Sequence, residues 1–308
     1  MVKNMFDYSY TVAYVSAKET TLLSKDTLYR MASEGDGTAR LLSQSGYGEG
    51  ASGSASELAD RELSSLRAFI KDSLQKELAS LLILPYDAHN LKVLLKCAVS
   101  GADPLPYLYD NTIYDTEIAA ACCRGGEFSL LSDKIAEILN PAYDAGTLTV
   151  PFGISTETDR AFYTEITDNA KAAPKEIAEY IKAEIDGKNL ISYFRALRIG
   201  LDNASFDKLI LPGGGAGKSV FTTAYESKAD DLRAYTSGLD MHFAFIFACE
   251  AAKSSLSDAA DILDNYALSK IEPYKYEPQS VVPIFLYFKK KTAEARHVRE
   301  AFSSGGVL

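Results

Sequence analysis

A helix-forming segment recurs in this 308-residue chain, and the recurrence constrains the architecture more than any single motif does. Asp87–Gly101 reads DAHNLKVLLKCAVSG, and Asp186–Gly200 reads DGKNLISYFRALRIG. Asp87, Asn90, Leu91 and Gly101 correspond to Asp186, Asn189, Leu190 and Gly200 at an offset of 99 residues. A further 108 residues bring Glu294, His297 and Val298 to the Asp, Asn and Leu places, in the segment EARHVREAFSSGGVL. Copies of one segment at such a period predict related units stacked or arranged around one another. The expected windows are 1–101, 102–200 and 201–308, each a helical unit.

The hydrophobic pattern between the copies is helical. Ser54 and Glu57 have capping-box spacing, and Leu63, Leu66, Ile70, Leu74, Leu78 and Leu81 then recur at three and four. Pro85 is expected to interrupt that helix and Asp87 to cap the next, which Gly101 closes. Ser24 is placed to cap a short helix carrying Leu28 and Met31. The Gly/Ser stretch Ser43–Ser56 reads as a loop, and Asn140–Gly153 as a Tyr-rich break. Helices are expected over 157–170 and 174–199, the second weakened at Gly187. Further helices are expected near 227–235, as one long element from 239 towards 271, and over 280–302. Only TLTV and KLIL resemble strands, so the expected class is all-α.

Composition bounds the function. With 32 Lys+Arg against 42 Asp+Glu the net charge is -10, which disfavours non-specific nucleic-acid binding and adhesion to anionic lipid. The N-terminus shows no signal-peptide pattern. The most apolar window, Met241–Ala252, falls short of the roughly 20 residues that span a bilayer. Cys97, Cys122, Cys123 and Cys249 have no zinc or disulfide spacing, and they read as reduced thiols. His89, His242 and His297 lack a second ligand at metal-binding spacing. Helix-start or surface roles suit His89 and His297.

LPGGGAGKSV (Leu211–Val220) invites comparison with a phosphate-binding loop. That motif needs a Gly five places before Gly217, where Pro212 stands, and a preceding strand, which is missing. A turn between units fits the segment better. The acidic pairs Asp230/Asp231, Asp258/Asp261 and Asp261/Asp264 read as solvated helix faces. Lys289–Lys291, with Arg296 and Arg299, reads as a basic patch near a helix C-terminus or as a docking surface. The residues thus give no catalytic, cofactor-binding or metal set. Asp87, Asn90, Asp186, Asn189, Glu294 and His297, with Gly101 and Gly200, are expected to be structural: caps, stops and inter-helix hydrogen bonds.

Several segments together resemble one family. They are YSYTVAYVSAKETTLLSKDTL near the start, LPYDAHNLKVLLK (Leu84–Lys96), NLISYFRALRIG (Asn189–Gly200), LPGG (Leu211–Gly214) and EPQSVVPIFLYFKKKTAEARHVR (Glu277–Arg299). On these the chain resembles the C subunit of the archaeal and bacterial V-type (A-type) rotary ATPases, known as the d subunit in vacuolar enzymes. The resemblance implies three pseudo-threefold-related helical domains forming a funnel-shaped body. It also implies a non-catalytic rotor component without cofactor, peripheral on the cytoplasmic face of the membrane. Its implied partners are the membrane proteolipid ring and the central shaft, whose rotation it would couple. His297 departs from the polar amide of the other copies, and the tail SSGGVL is degenerate. Two other classes remain to be distinguished: a helical scaffold unrelated to ATPases, and a nucleotide-dependent enzyme using Gly213–Ser219.

Overall fold

The computed structural model describes residues 7–33, 42, 43, 45–47 and 53–303. The described residues are all-α, with no strand among them. The helices are α1 (Ser9–Glu19), α2 (Lys25–Ser33), α3 (Ala55–Ser73), α4 (Lys76–Ser100), α5 (Thr116–Gly125), α6 (Asp133–Asp144) and α7 (Pro151–Ala170). They continue as α8 (Lys175–Ile199), α9 (Asn203–Leu209), α10 (Lys218–Glu226), α11 (Arg233–Thr236), α12 (His242–Ala252), α13 (Leu256–Leu268) and α14 (Val282–Ser303). TLTV becomes a single 3-10 turn, Thr147–Thr149, and KLIL spans the last two residues of α9 and the two that follow it.

Local signals set many helix starts. Ser54 and Glu57 form the expected capping box, and the Ser24 hydroxyl accepts from the Thr27 N–H at 3.2 Å ahead of α2. Asp115, Ser132, Asp202 and Ser255 cap α5, α6, α9 and α13. Each supplies a side-chain oxygen to a first-turn N–H that has no partner within the helix. Gly101 (φ 75°) and Gly200 (φ 65°) end α4 and α8 in the left-handed region that glycine adopts without a Cβ clash. After α8, Leu201 N–H bonds to Ala196 C=O and Gly200 N–H to Leu197 C=O, a Schellman closure.

Tertiary packing overrides other signals. The stripe from Leu63 to Leu81 is not one helix: Leu74 is extended, and α4 starts afresh at Lys76. Pro85 then lies inside α4, so Asp87 is a mid-helix residue and not a cap. Leu81, Leu82, Ile83 and Leu84 are all buried; a helix apolar on every side is held by its surroundings, which offset the bond Pro85 cannot make. Pro141 likewise sits inside α6, which shrinks the Asn140–Gly153 break to a few residues. The segment expected as a helix near 227–235 is mostly turn between α10 and α11, and the long element from 239 is a hairpin of α12 and α13 turning at 253–255. His89 and His297 lie within α4 and α14, not at helix starts. Residues 44 and 48–52 of the Gly/Ser stretch, 1–6 of the N-terminus and 304–308 of the tail lie outside the described residues.

Two compact units result. One is Met1–Leu82 with Pro273–Leu308, in which α14 packs on α1, α2 and α3. The closing helix therefore completes the core begun by the first helices. Lys290 pairs with Glu19 at 2.6 Å and Arg299 with Asp60 at 2.5 Å, so these members of the basic patch are tied to neighbouring helices along α14. The other unit, Ile83–Glu272, centres on α8. The helix runs unbroken through Gly187, where a Cβ would stand 3.2 Å from Leu263 Cβ, so the glycine lets α13 approach α8 closely. Tyr193 is fully buried among Phe194, Phe206 and Tyr225, and its hydroxyl donates to Ala229 C=O at 2.6 Å. That bond satisfies the phenol while its ring fills the core.

Candidate functional site

Three buried acids stand on long helices, and each binds backbone or side-chain donors from elsewhere in the chain. On α4, Asp87 accepts from the N–H groups of Ile113 (3.1 Å) and Tyr114 (2.8 Å). One turn on, Asn90 accepts from the Tyr109 N–H and donates to the Tyr109 C=O, both at 2.8 Å. On α8, Asp186 accepts from the N–H groups of Gly215 (2.8 Å) and Ala216 (3.0 and 3.1 Å). Asn189 accepts from the Leu211 N–H at 2.8 Å and donates to its C=O at 3.1 Å. An amide is the side chain that meets a peptide edge with one donor and one acceptor at once. In both copies the acid and the amide together fasten the returning loop to its helix.

On α14, Glu294 accepts from the Leu23 N–H at 2.9 Å, the Lys291 ammonium at 2.9 Å and the Tyr47 hydroxyl. Lys291 is buried, 4.0 Å from the centre of the Tyr47 ring and 3.6 Å from Glu62. A buried ammonium requires such partners, because an isolated buried charge is costly. Burial, reinforced by Glu294, drives the Tyr47 phenol far above its ordinary pKa, so it stays a donor. His297, half-buried on α14, has no amide end with which to repeat the Asn90 geometry. Sequence reasoning missed Tyr47, Leu23 and Lys291 as partners, although the Tyr47 loop and the basic run were both visible. It also missed Glu165, which accepts from the hydroxyls of Tyr114 and Ser132 beside Asp87.

The glycine-rich loop does cradle an anion, and the anion is internal. Two consecutive N–H groups of this loop close on the Asp186 carboxylate, the nest geometry that phosphate loops offer to a ligand. A Cβ on Gly214 would overlap Asp186 Oδ1, and one on Gly213 would overlap Thr167. Lys218, which a nucleotide site would aim at phosphate, pairs with Asp207 at 2.7 Å. Burial pushes Asp186 up to about 7, against the opposing pull of the Ala216 and Gly215 N–H groups.

A cavity of about 750 Å³ lies beside this loop, lined by Glu137, Glu157, Arg160, Thr164, Pro212 and Lys218. Its cations are engaged, Arg160 with Glu157 and Lys218 with Asp207. Among the described residues no group of His, Cys, Asp or Glu could hold a metal. The four cysteines are free thiols, and burial raises Cys123 to about 12, which suppresses its thiolate. No helix of the described residues is long and apolar enough to cross a membrane.

Comparison with known proteins is consistent across the chain. The family model described as ATP synthase (C/AC39) subunit matches residues 11–302. The chain is similar to the C subunit of the A-type ATP synthase of Methanosarcina acetivorans, 27% identical over 97% of this chain and 89% of that protein. It is also similar to the corresponding A-type ATP synthase C subunit of Thermococcus gammatolerans, 22% identical over 78% of this chain and 68% of that protein.

Proposed function

The chain belongs to the ATP synthase (C/AC39) subunit family, and we propose that it is a non-catalytic rotor subunit of an A-type or V-type ATPase. On this reading it joins the membrane proteolipid ring to the central shaft at the cytoplasmic face and transmits rotation between them. The match over 11–302 carries the proposal. The site geometry supports it, because the residues that resemble chemistry are engaged in internal bonding: the loop binds Asp186, Lys218 binds Asp207, and Lys291 binds Glu294. The windows 1–101, 102–200 and 201–308 are, on this reading, three copies of one sequence unit. Asp87, Asp186 and Glu294 are its recurring acid, Asn90, Asn189 and His297 its second position, and Gly101 and Gly200 its helix stop.

Family membership sets aside the scaffold unrelated to ATPases. The proposal predicts that the purified full chain binds both a shaft subcomplex and a detergent-solubilised proteolipid ring. Binding to neither, in a preparation where those partners bind each other, overturns it. Titration with labelled ATP and magnesium, on wild type and Lys218→Ala, tests the nucleotide alternative; no saturable binding to wild type ends it.

A further inference from the structure

Each recurring acid takes a backbone donor from the window that follows its own. Asp87 holds Tyr114, Asp186 holds Ala216 and Glu294 holds Leu23, so the third window draws on the first. The residue after each donor opens a short helix: Asp115 caps α5, Gly217 stands at the N-cap of α10, and Ser24 caps α2. Those helices are 10, 9 and 9 residues long. One further helical element precedes the donor each time, namely the 3-10 turn Leu105–Tyr107, α9 and α1.

An ion pair repeats the relationship. Five residues beyond Asp87, Lys92 reaches Asp159 on α7 at 2.7 Å; five beyond Glu294, Arg299 reaches Asp60 on α3 at 2.5 Å. Asp60 and Asp159 are themselves 99 residues apart, the interval between Asp87 and Asp186. Equivalent cations thus meet equivalent acids, window one on window two and window three on window one. In the middle copy Ile191 takes the place of the cation, and α8 closes on α13 of the third window where Gly187 meets Leu263. Exposed pairs of this kind contribute little energy; what they mark is which helices correspond.

We infer that the folding unit begins with the recurring helix and ends in the next window, so that the three units follow one another in cyclic order. They are α4 with α5–α7, α8 with α9–α13, and α14 with α1–α3. The third is the compact unit Met1–Leu82 with Pro273–Leu308. Helix α14 is then a clasp: α1–α3 are synthesised well before it, and their apolar faces stay open until it seats. Hydrogen exchange on the full chain tests the cyclic order, using the equivalent buried positions Leu91, Leu190 and Val298. Val298→Ala is expected to quicken exchange at least tenfold in α1–α3 and to leave α9–α13 unchanged, although those helices share its window. Leu190→Ala should act on α9–α13 and spare α5–α7, and Leu91→Ala should act on α5–α7 and spare α3. Three outcomes overturn the cyclic order: loosening of the helices that precede each position instead, a uniform rise along the chain, or no rise in the helices named. Leu91→Val, Leu190→Val and Val298→Thr replace any variant that does not fold, with the same outcomes required.

Discussion

Gly214 lies so close to Asp186 that no side chain fits between them: a Cβ on the glycine would occupy the space of the Asp186 Oδ1. The contact ties a buried acid in the middle of α8 to a loop nearly 30 residues later, and it explains why this stretch is so rich in glycine. The loop needs its bare backbone to reach an anion, and the chain supplies that anion itself.

Gly214→Ala is therefore expected to destabilise the protein by about 1–3 kcal/mol through overpacking. Gly217→Ala is the control, since a Cβ there meets only Ser219 Oγ, at 3.7 Å. It should cost well under the Gly214 change. Urea denaturation of both variants checks the order; equal losses would contradict the contact.

Burial of Asp186 sets the sign of its pH dependence. Its folded value is raised from 3.8 to about 7 by burial. A raised folded pKa means that the folded state binds the proton more tightly. The associated stability is fully present below about 3.8 and is lost as pH rises through 7. Relative to Asp186→Asn, which cannot ionise, wild type should lose stability from pH 4 to 7 at up to about 1.4 kcal/mol per pH unit. Denaturation midpoints of the two proteins across that range test this; a constant difference would show that Asp186 does not titrate there.

Asn189→Ala removes both partners of the Leu211 peptide. Each buried group left unsatisfied costs about 1–3 kcal/mol. Asn90→Ala should act similarly through Tyr109. Asn189→Asp retains the acceptor and loses the donor, so it should lose less than the alanine variant if the Leu211 N–H bond dominates. Chemical denaturation ranks the three.

Lys291→Met leaves Glu294 buried without its ammonium. Breaking a buried pair in this way costs about 3–5 kcal/mol. Because Glu294 also holds Leu23, the N-terminal helices should become the first site of limited proteolysis. A variant with wild-type Tm and unchanged cleavage would show that the remaining donors suffice.

Much of the fold was legible in the residues. Capping oxygens at Ser24 and Ser54, the glycine stops at 101 and 200, and the three-and-four apolar rhythm all act within about one helical turn. Such signals are therefore readable from neighbours alone. Pro85 misled for the same reason: a local stop signal is weaker than the burial of Leu81, Leu82, Ile83 and Leu84 around it. The Leu239–Ile271 expectation failed because the Ser255 cap divides an apolar run into two helices, and the Ser227–Tyr235 one because that charged stretch is mostly turn.

The sequence by itself determined an all-α chain, a recurring helix with an acid at one place, and the family resemblance those segments carry. Only the tertiary structure decided what each acid does, because its partners are remote. Ile113 is 26 residues from Asp87, Ala216 is 30 from Asp186, and Leu23 is 271 from Glu294. Helix formation depends on contacts a few residues apart, whereas satisfying a buried carboxylate depends on which loop the packed core brings to it.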